Sequence, residues 1–116
     1  MPIDQLSTTV ESLPGKITCI RLSGNLDAHT FEVLQDLLTD NFEKGCFKII
    51  LDVSEVPYMS SAGAGVLIGG LTEAENKGGK LIVLGMRAEV KNVFATLGIL
   101  DFFATVDDRA SAIAAF

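Results

Sequence analysis

Residues 52–65 constrain this chain more than any other stretch. A branched apolar run, Ile49-Ile50-Leu51, leads into them, and a stripe at helical spacing, Ala64, Leu67, Ile68 and Leu71, leads out. The first pattern reads as a buried strand and the second as the covered face of a helix. What lies between, Asp52-Val53-Ser54-Glu55-Val56-Pro57-Tyr58-Met59-Ser60-Ser61-Ala62-Gly63-Ala64-Gly65, is a strand-to-helix turn with two hydroxyls where the helix begins. Backbone amides at a helix start lack partners, so such an end favours negative charge, phosphate included.

The rest of the chain supplies a frame for that turn. Residues 3–10, with Ile3, Leu6 and Val10 among polar neighbours, predict a weak edge strand, and Pro14-Gly15 turns it into a hairpin with residues 16–22. Ser23-Gly24-Asn25 breaks that second strand. Phe31, Leu34, Leu38 and Phe42 then share a helix face with Val33 and Leu37, while Glu32, Asp36 and Asp40 face away. Asp27 or Thr30 caps its start, and Gly45 stops it. Residues 47–53 are near-continuously apolar, as in a central strand covered on both faces.

The helix after the serines runs to about Lys77 and ends at Gly78-Gly79. Residues 80–84 form the next strand, parallel to the previous one through a right-handed crossover. A third helix places Val90, Val93, Phe94 and Leu97 on one face, with Gly98 past its end. Residues 102–106 read as a last strand, and Asp107 or Asp108 caps a terminal helix carrying Ile113 and Phe116. The alternation predicts an α/β fold: one domain over residues 1–116, a mixed sheet of four to five strands and about four helices. Ligands and chemistry in such sheets gather at the carboxyl ends of the strands, where residues 24–30 should lie beside the turn.

Composition removes several function classes. A net charge of −6 without any Lys or Arg block argues against nucleic acid. Cys19 and Cys46 are too far apart for a paired metal-ligand signature and read as reduced thiols of a cytoplasmic protein. No apolar stretch approaches membrane length and no basic-then-apolar leader precedes the domain, so a soluble chain beginning at Met1 is expected, with no membrane association. At 12.3 kDa the chain buries enough surface to fold without staples.

Individual motifs narrow the chemistry further. A hydrolytic triad would need the single histidine, His29, near Ser60 or Ser61, and the nucleophile-elbow pattern is absent because Met59 stands two residues before Ser61. Gly63-x-Gly65 with Gly69 misses the dinucleotide fingerprint, since Ile68 takes the third glycine's place, and no P-loop lysine follows the glycines. Gly63, Gly65, Gly69 and Gly70 instead read as residues that let a helix pack closely on the sheet. No metal, cofactor or enzymatic activity is expected. For Ser60 and Ser61 the local pattern alone indicates a helix cap.

Residues 51–67 resemble the signature of the STAS domain, shared by sulfate transporters and anti-sigma factor antagonists. Leu22-Ser23-Gly24-Asn25-Leu26-Asp27 is similar to the family's Leu-x-Gly-Glu-Leu-Asp element. Gly78-Gly79-Lys80-Leu81 and Val90 to Leu97 with Gly98-Ile99 match further elements in the right order. Without membrane segments, the chain is similar to the stand-alone antagonists of bacterial partner switching. The resemblance implies a protein whose unphosphorylated form binds an anti-sigma factor with serine kinase activity and so frees the sigma factor. It implies a kinase target at the start of the second helix, Ser61, with Ser60 as the second candidate, and a PP2C-type phosphatase that reverses the modification. The family's usual Asp before that serine is Ser60 here, and the usual Ser or Thr after it is Ala62. The docking surface implied around it comprises Asp27, Tyr58, Met59, Ser60, Ala62, Gly63 and Ala64. A STAS scaffold or adaptor without phosphorylation, and a small-ligand or nucleotide-binding module, are the alternatives.

Overall fold

A computed structural model describes residues 5–116. Five strands, β1 (Ser7–Leu13), β2 (Ile17–Ser23), β3 (Lys48–Glu55), β4 (Lys80–Leu84) and β5 (Ala104–Val106), form one sheet in the order β1-β2-β3-β4-β5. β1 runs antiparallel to β2, and the remaining neighbours are parallel. Four helices complete it: α1 (Phe31–Glu43), α2 (Ser61–Asn76), α3 (Ala88–Thr96) and α4 (Arg109–Ala114), with a 3-10 turn at Leu100–Phe102.

The connections explain where the helices lie. The crossovers β2-α1-β3, β3-α2-β4 and β4-α3-β5 all step in one direction across the sheet, and a crossover's hand decides its side. Accordingly Leu34 and Leu38 of α1, Leu67 and Leu71 of α2, and Val90 and Phe94 of α3 share one cluster with Ile20, Ile49, Leu51, Leu81 and Val83. Each side chain fully buried there contributes roughly 1.5–3 kcal/mol. The other face is left to α4, whose Ala112 packs on Ile17, Cys19, Ile50, Ile82 and Leu84. β3 feeds both clusters from alternate residues, which is why Ile49, Ile50 and Leu51 are apolar in succession.

Several local expectations shift. The first strand begins at Ser7 and extends to Leu13, with Leu6 buried just ahead of it and Val10 47% exposed. Ile3 lies outside the described residues. The hairpin turn places both Gly15 and Lys16 at positive φ. On α1, Val33 is 44% exposed because it falls past the rim of the sheet, opening on the same groove as Thr8 of β1. Asn41 is buried instead, its amide donating to the Leu37 carbonyl at 2.8 Å. Leu97, assigned to the buried face of α3, is 44% exposed: it caps the helix, and Phe94 fills the core beside Phe103, ring centroids 5.3 Å apart. Phe102 is exposed within the 3-10 turn, so β5 starts later than expected. Ile113 is exposed on α4, where Ala112 faces inward.

Candidate functional site at the carboxyl end of β3

Beyond Glu55 the chain does not turn directly into α2. Residues 24–30 run alongside it, and the two loops close on one another through backbone bonds. The Gly24 amide donates to the Glu55 carbonyl at 3.0 Å, the Leu26 amide to that of Tyr58 at 3.1 Å, and the Ser60 amide to that of Leu26 at 2.9 Å. Leu26 and Met59 thus form a parallel bridge outside the sheet. Both side chains are fully buried, so the seam is anchored in the core.

The start of α2 is pressed on this seam. A Cβ at Gly63 would lie 2.6 Å from the Leu26 carbonyl oxygen and 2.9 Å from Met59 Cγ. Only glycine allows that approach. Ser60, with extended backbone, is the N-cap, and its Oγ accepts from the Gly63 amide at 3.4 Å while its carbonyl accepts from Ala64 at 2.9 Å. Ser61 is the first helical residue and is exposed. Its own amide and that of Ala62 find no acceptor among the described residues, and the first turn carries no acidic side chain. The two adjacent serines therefore part company: one hydroxyl closes the helix end, the other faces out.

The second loop holds Asp27 just as firmly. Its Oδ1 accepts from the His29 amide at 2.9 Å, and its backbone amide donates to Thr30 Oγ1 at 3.0 Å. The buried Thr30 hydroxyl donates to the Asn25 carbonyl at 2.8 Å, so Thr30 is the N-cap residue of α1 by position while its side chain ties the loop. His29 is exposed and bonds neither serine hydroxyl among the described residues.

The residues implied for the surface divide accordingly. Ser61 and Tyr58, the latter 46% exposed, reach solvent; Asp27, Ser60 and Ala62 are half-buried at its rim. Met59, Gly63 and Ala64 are buried and lie beneath it, because Met59 pairs with Leu26, Gly63 presses on that pair and Ala64 joins the core. In their place α3 contributes side chains the pattern did not assign. Ser61 opens on a shallow, mostly apolar groove of about 240 Å³ with Asn92, Val93, Thr96 and Leu97. The available signal was Gly98: a helix that ends at Thr96 cannot carry Leu97 into its buried face.

Asp52, at the head of the turn, points to the opposite face. Its Oδ1 accepts from the Ser54 amide at 3.0 Å and hydroxyl at 2.7 Å, and Oδ2 lies 3.5 Å from Arg21 Nε. With Glu11 and Arg109, paired at 2.7 Å, these groups line a polar hollow of about 330 Å³ that also touches Cys19. Burial is the main cause that pushes the Cys19 thiol above its ordinary pKa, which keeps it protonated and unreactive. No group of three or more His, Cys, Asp or Glu among the described residues could hold a metal ion, and no described helix is long and apolar enough to cross a membrane.

Residues 9–112 match the model of the STAS domain family. The chain is 26% identical to the anti-sigma F factor antagonist of Paenibacillus polymyxa over 84% of each protein. Its fold is similar to the crystal structure of an anti-sigma factor antagonist from Mycobacterium paratuberculosis, with a TM-score of 0.86 at 20% identity, covering 97% of this chain and 94% of that one. It is also similar to the Bacillus cell fate determinant SpoIIAA in its phosphorylated form, with a TM-score of 0.73 at 25% identity, covering 93% of this chain and 97% of that one.

Proposed function

The chain belongs to the STAS domain family, and on that premise we propose that it is a cytoplasmic anti-sigma factor antagonist, a non-enzymatic switch set by phosphate on Ser61. Its unphosphorylated form binds an anti-sigma factor that is also a serine kinase and frees the sigma factor. Phosphorylation of Ser61 ends that binding, and a PP2C-type phosphatase restores it.

The observation that carries this reading is the difference between the two serines. The Ser60 hydroxyl is engaged by the Gly63 amide, whereas that of Ser61 is exposed at the first position of α2 beside two free amides. A phosphate there adds about −1.5 to −2 charges. The helix dipole favours it, and no first-turn carboxylate opposes it. The domain therefore stays folded while its surface changes. The same dianion stands at the mouth of a groove walled by Val93 and Leu97, with Tyr58 exposed on the turn that leads into α2. An apolar or acidic partner seated there loses contact and gains repulsion, and a penalty of about 3 kcal/mol weakens binding more than a hundredfold.

Incubation with the cognate kinase and ATP followed by mass spectrometry tests the acceptor: phosphate appears on Ser61, is lost in Ser61→Ala, and persists in Ser60→Ala. Ser61→Asp weakens capture of the anti-sigma factor about a hundredfold. Unchanged capture by Ser61→Asp, with no phosphate on either serine, would reassign the chain to an unswitched scaffold.

A further inference from the structure

A second surface, away from Ser61, lies at the β1 edge of the sheet, which pairs with no further strand among the described residues. β1 is one of the two outermost strands, the other being the three-residue β5, and its seven residues pair with β2 in continuous register. An open edge is a template for another strand, and proteins usually blunt it with lysine, proline, a bulge or a covering element. β1 reads Ser-Thr-Thr-Val-Glu-Ser-Leu, with none of those residues, and all of it but the half-buried Leu13 is exposed. Its one charge, Glu11, is matched by Arg109 at 2.7 Å. Val10, at the middle of the strand, is 47% exposed, and Val33 of α1 is 44% exposed.

Charge decides what fits there. Along β1 an open groove of about 400 Å³ is lined by Thr8, Val33, Asp36, Leu37 and Asp40. Among the described residues Lys44 pairs with Asp40 at 3.1 Å, but both side chains are more than half exposed. Such a pair is weak and readily exchanged. Antiparallel pairing of β1 with a second copy would set the Asp36 and Asp40 carboxylates of both copies on one side of the joined sheet. A cationic strand would instead meet them favourably.

We propose that β1 accepts an extended segment of a protein partner as a sixth strand, with Lys or Arg at alternate positions reaching Asp36 and Asp40 across Val10 and Val33. Backbone bonds to the edge give the affinity, and the period-2 alternation of a strand aims every second side chain at the groove. The site does not depend on the state of Ser61.

Titration of the isotopically labelled full chain with a capped nonapeptide alternating Lys with Val and Thr provides the test, with the same peptide carrying Glu for Lys as control. At saturation the β1 amides exchange with solvent about tenfold more slowly. The double variant Asp36→Asn, Asp40→Asn binds the Lys peptide about fivefold more weakly, and so does Val10→Lys. All three positions are exposed, so the fold is retained. The proposal fails if the Lys peptide leaves the β1 amides unmoved, or if the doubly neutralised variant or the Glu peptide binds as tightly. It also fails if sedimentation shows the chain dimerising through β1 without peptide, which assigns the edge to a second copy.

Discussion

Along α2, one seam faces the protein and another faces solvent, and both are written in serine and glycine. The inward seam starts at Ser60 and passes through Gly63 and Gly70; the outward one starts at Ser61 and passes through Gly65 and Gly69. Inward, each glycine makes room. A Cβ at Gly63 would strike the Leu26 carbonyl at 2.6 Å, and one at Gly70 would meet Leu38 Cδ1 at 2.9 Å. Outward, a Cβ at Gly65 or Gly69 has nothing within 4 Å. Glycine there only loosens the helix, leaving open the groove of about 450 Å³ that α2 shares with Phe31, Leu38 and Phe42 of α1. The same residue types thus serve architecture on one side and surface on the other, and contact alone tells them apart.

The sharpest way to break that contrast is to add one methyl group to each seam. Gly63→Ala forces the start of α2 away from a backbone carbonyl that cannot rotate aside, and we expect a loss of about 3 kcal/mol in urea unfolding. Gly69→Ala should act in the opposite direction, raising stability by about 0.5–1 kcal/mol through helix propensity alone. Equal effects of either sign at the two positions would remove the distinction.

This contrast also marks how far the sequence could be read. The strand-turn-helix around residues 52–65, the parallel pairing of β3 with β4 and the four helices follow from apolar periodicity, which reports burial over many residues and tolerates local error. The close approach of residues 24–30 to the turn was also legible, because both leave the carboxyl ends of neighbouring strands. Periodicity fails at rims. Val33 and Leu97 each fit a helical stripe, yet one sits where its helix overhangs the sheet edge and the other where its helix ends; Gly65 and Gly69, read with Gly63 and Gly70 as close-packing residues, turn to solvent instead. Met59 departs for the converse reason: a turn residue is taken as exposed unless something pairs with it, and its partner Leu26 is 33 positions earlier. Which of two adjacent serines caps the helix depends on one residue of register, a level of detail that pattern cannot supply.

A smaller effect tests the serine pair itself. Ser60→Ala removes the acceptor for the Gly63 amide and should cost about 0.5–1 kcal/mol, at the low end for a cap because the bond is long. Ser61→Ala should change stability by less than about 0.5 kcal/mol, as for other surface sites. The ranking matters more than the values: a larger loss at Ser61 would mean that the cap, and with it the free hydroxyl, had been assigned to the wrong residue. Thermal unfolding of the two variants side by side decides it.

The smallest expected effect separates two caps by their chemistry. Ser60 caps α2 with a neutral hydroxyl, whereas Asp108 caps α4 with a carboxylate that accepts from the Ser111 amide at 2.7 Å. That bond is the main cause holding Asp108 below the ordinary aspartate value of 3.8. Because the folded form binds the proton less readily than the unfolded chain, its contribution is present above the unfolded value and is lost as pH falls through the lowered folded one. Acid should therefore fray α4 while leaving the start of α2 intact. Amide exchange at Ser111 should accelerate relative to Gly63 once the pH drops below that range. Asp108→Asn keeps an acceptor at the cap and removes the titrating group, so the acceleration should vanish. Its persistence in that variant would place the cause outside the Asp108–Ser111 cap.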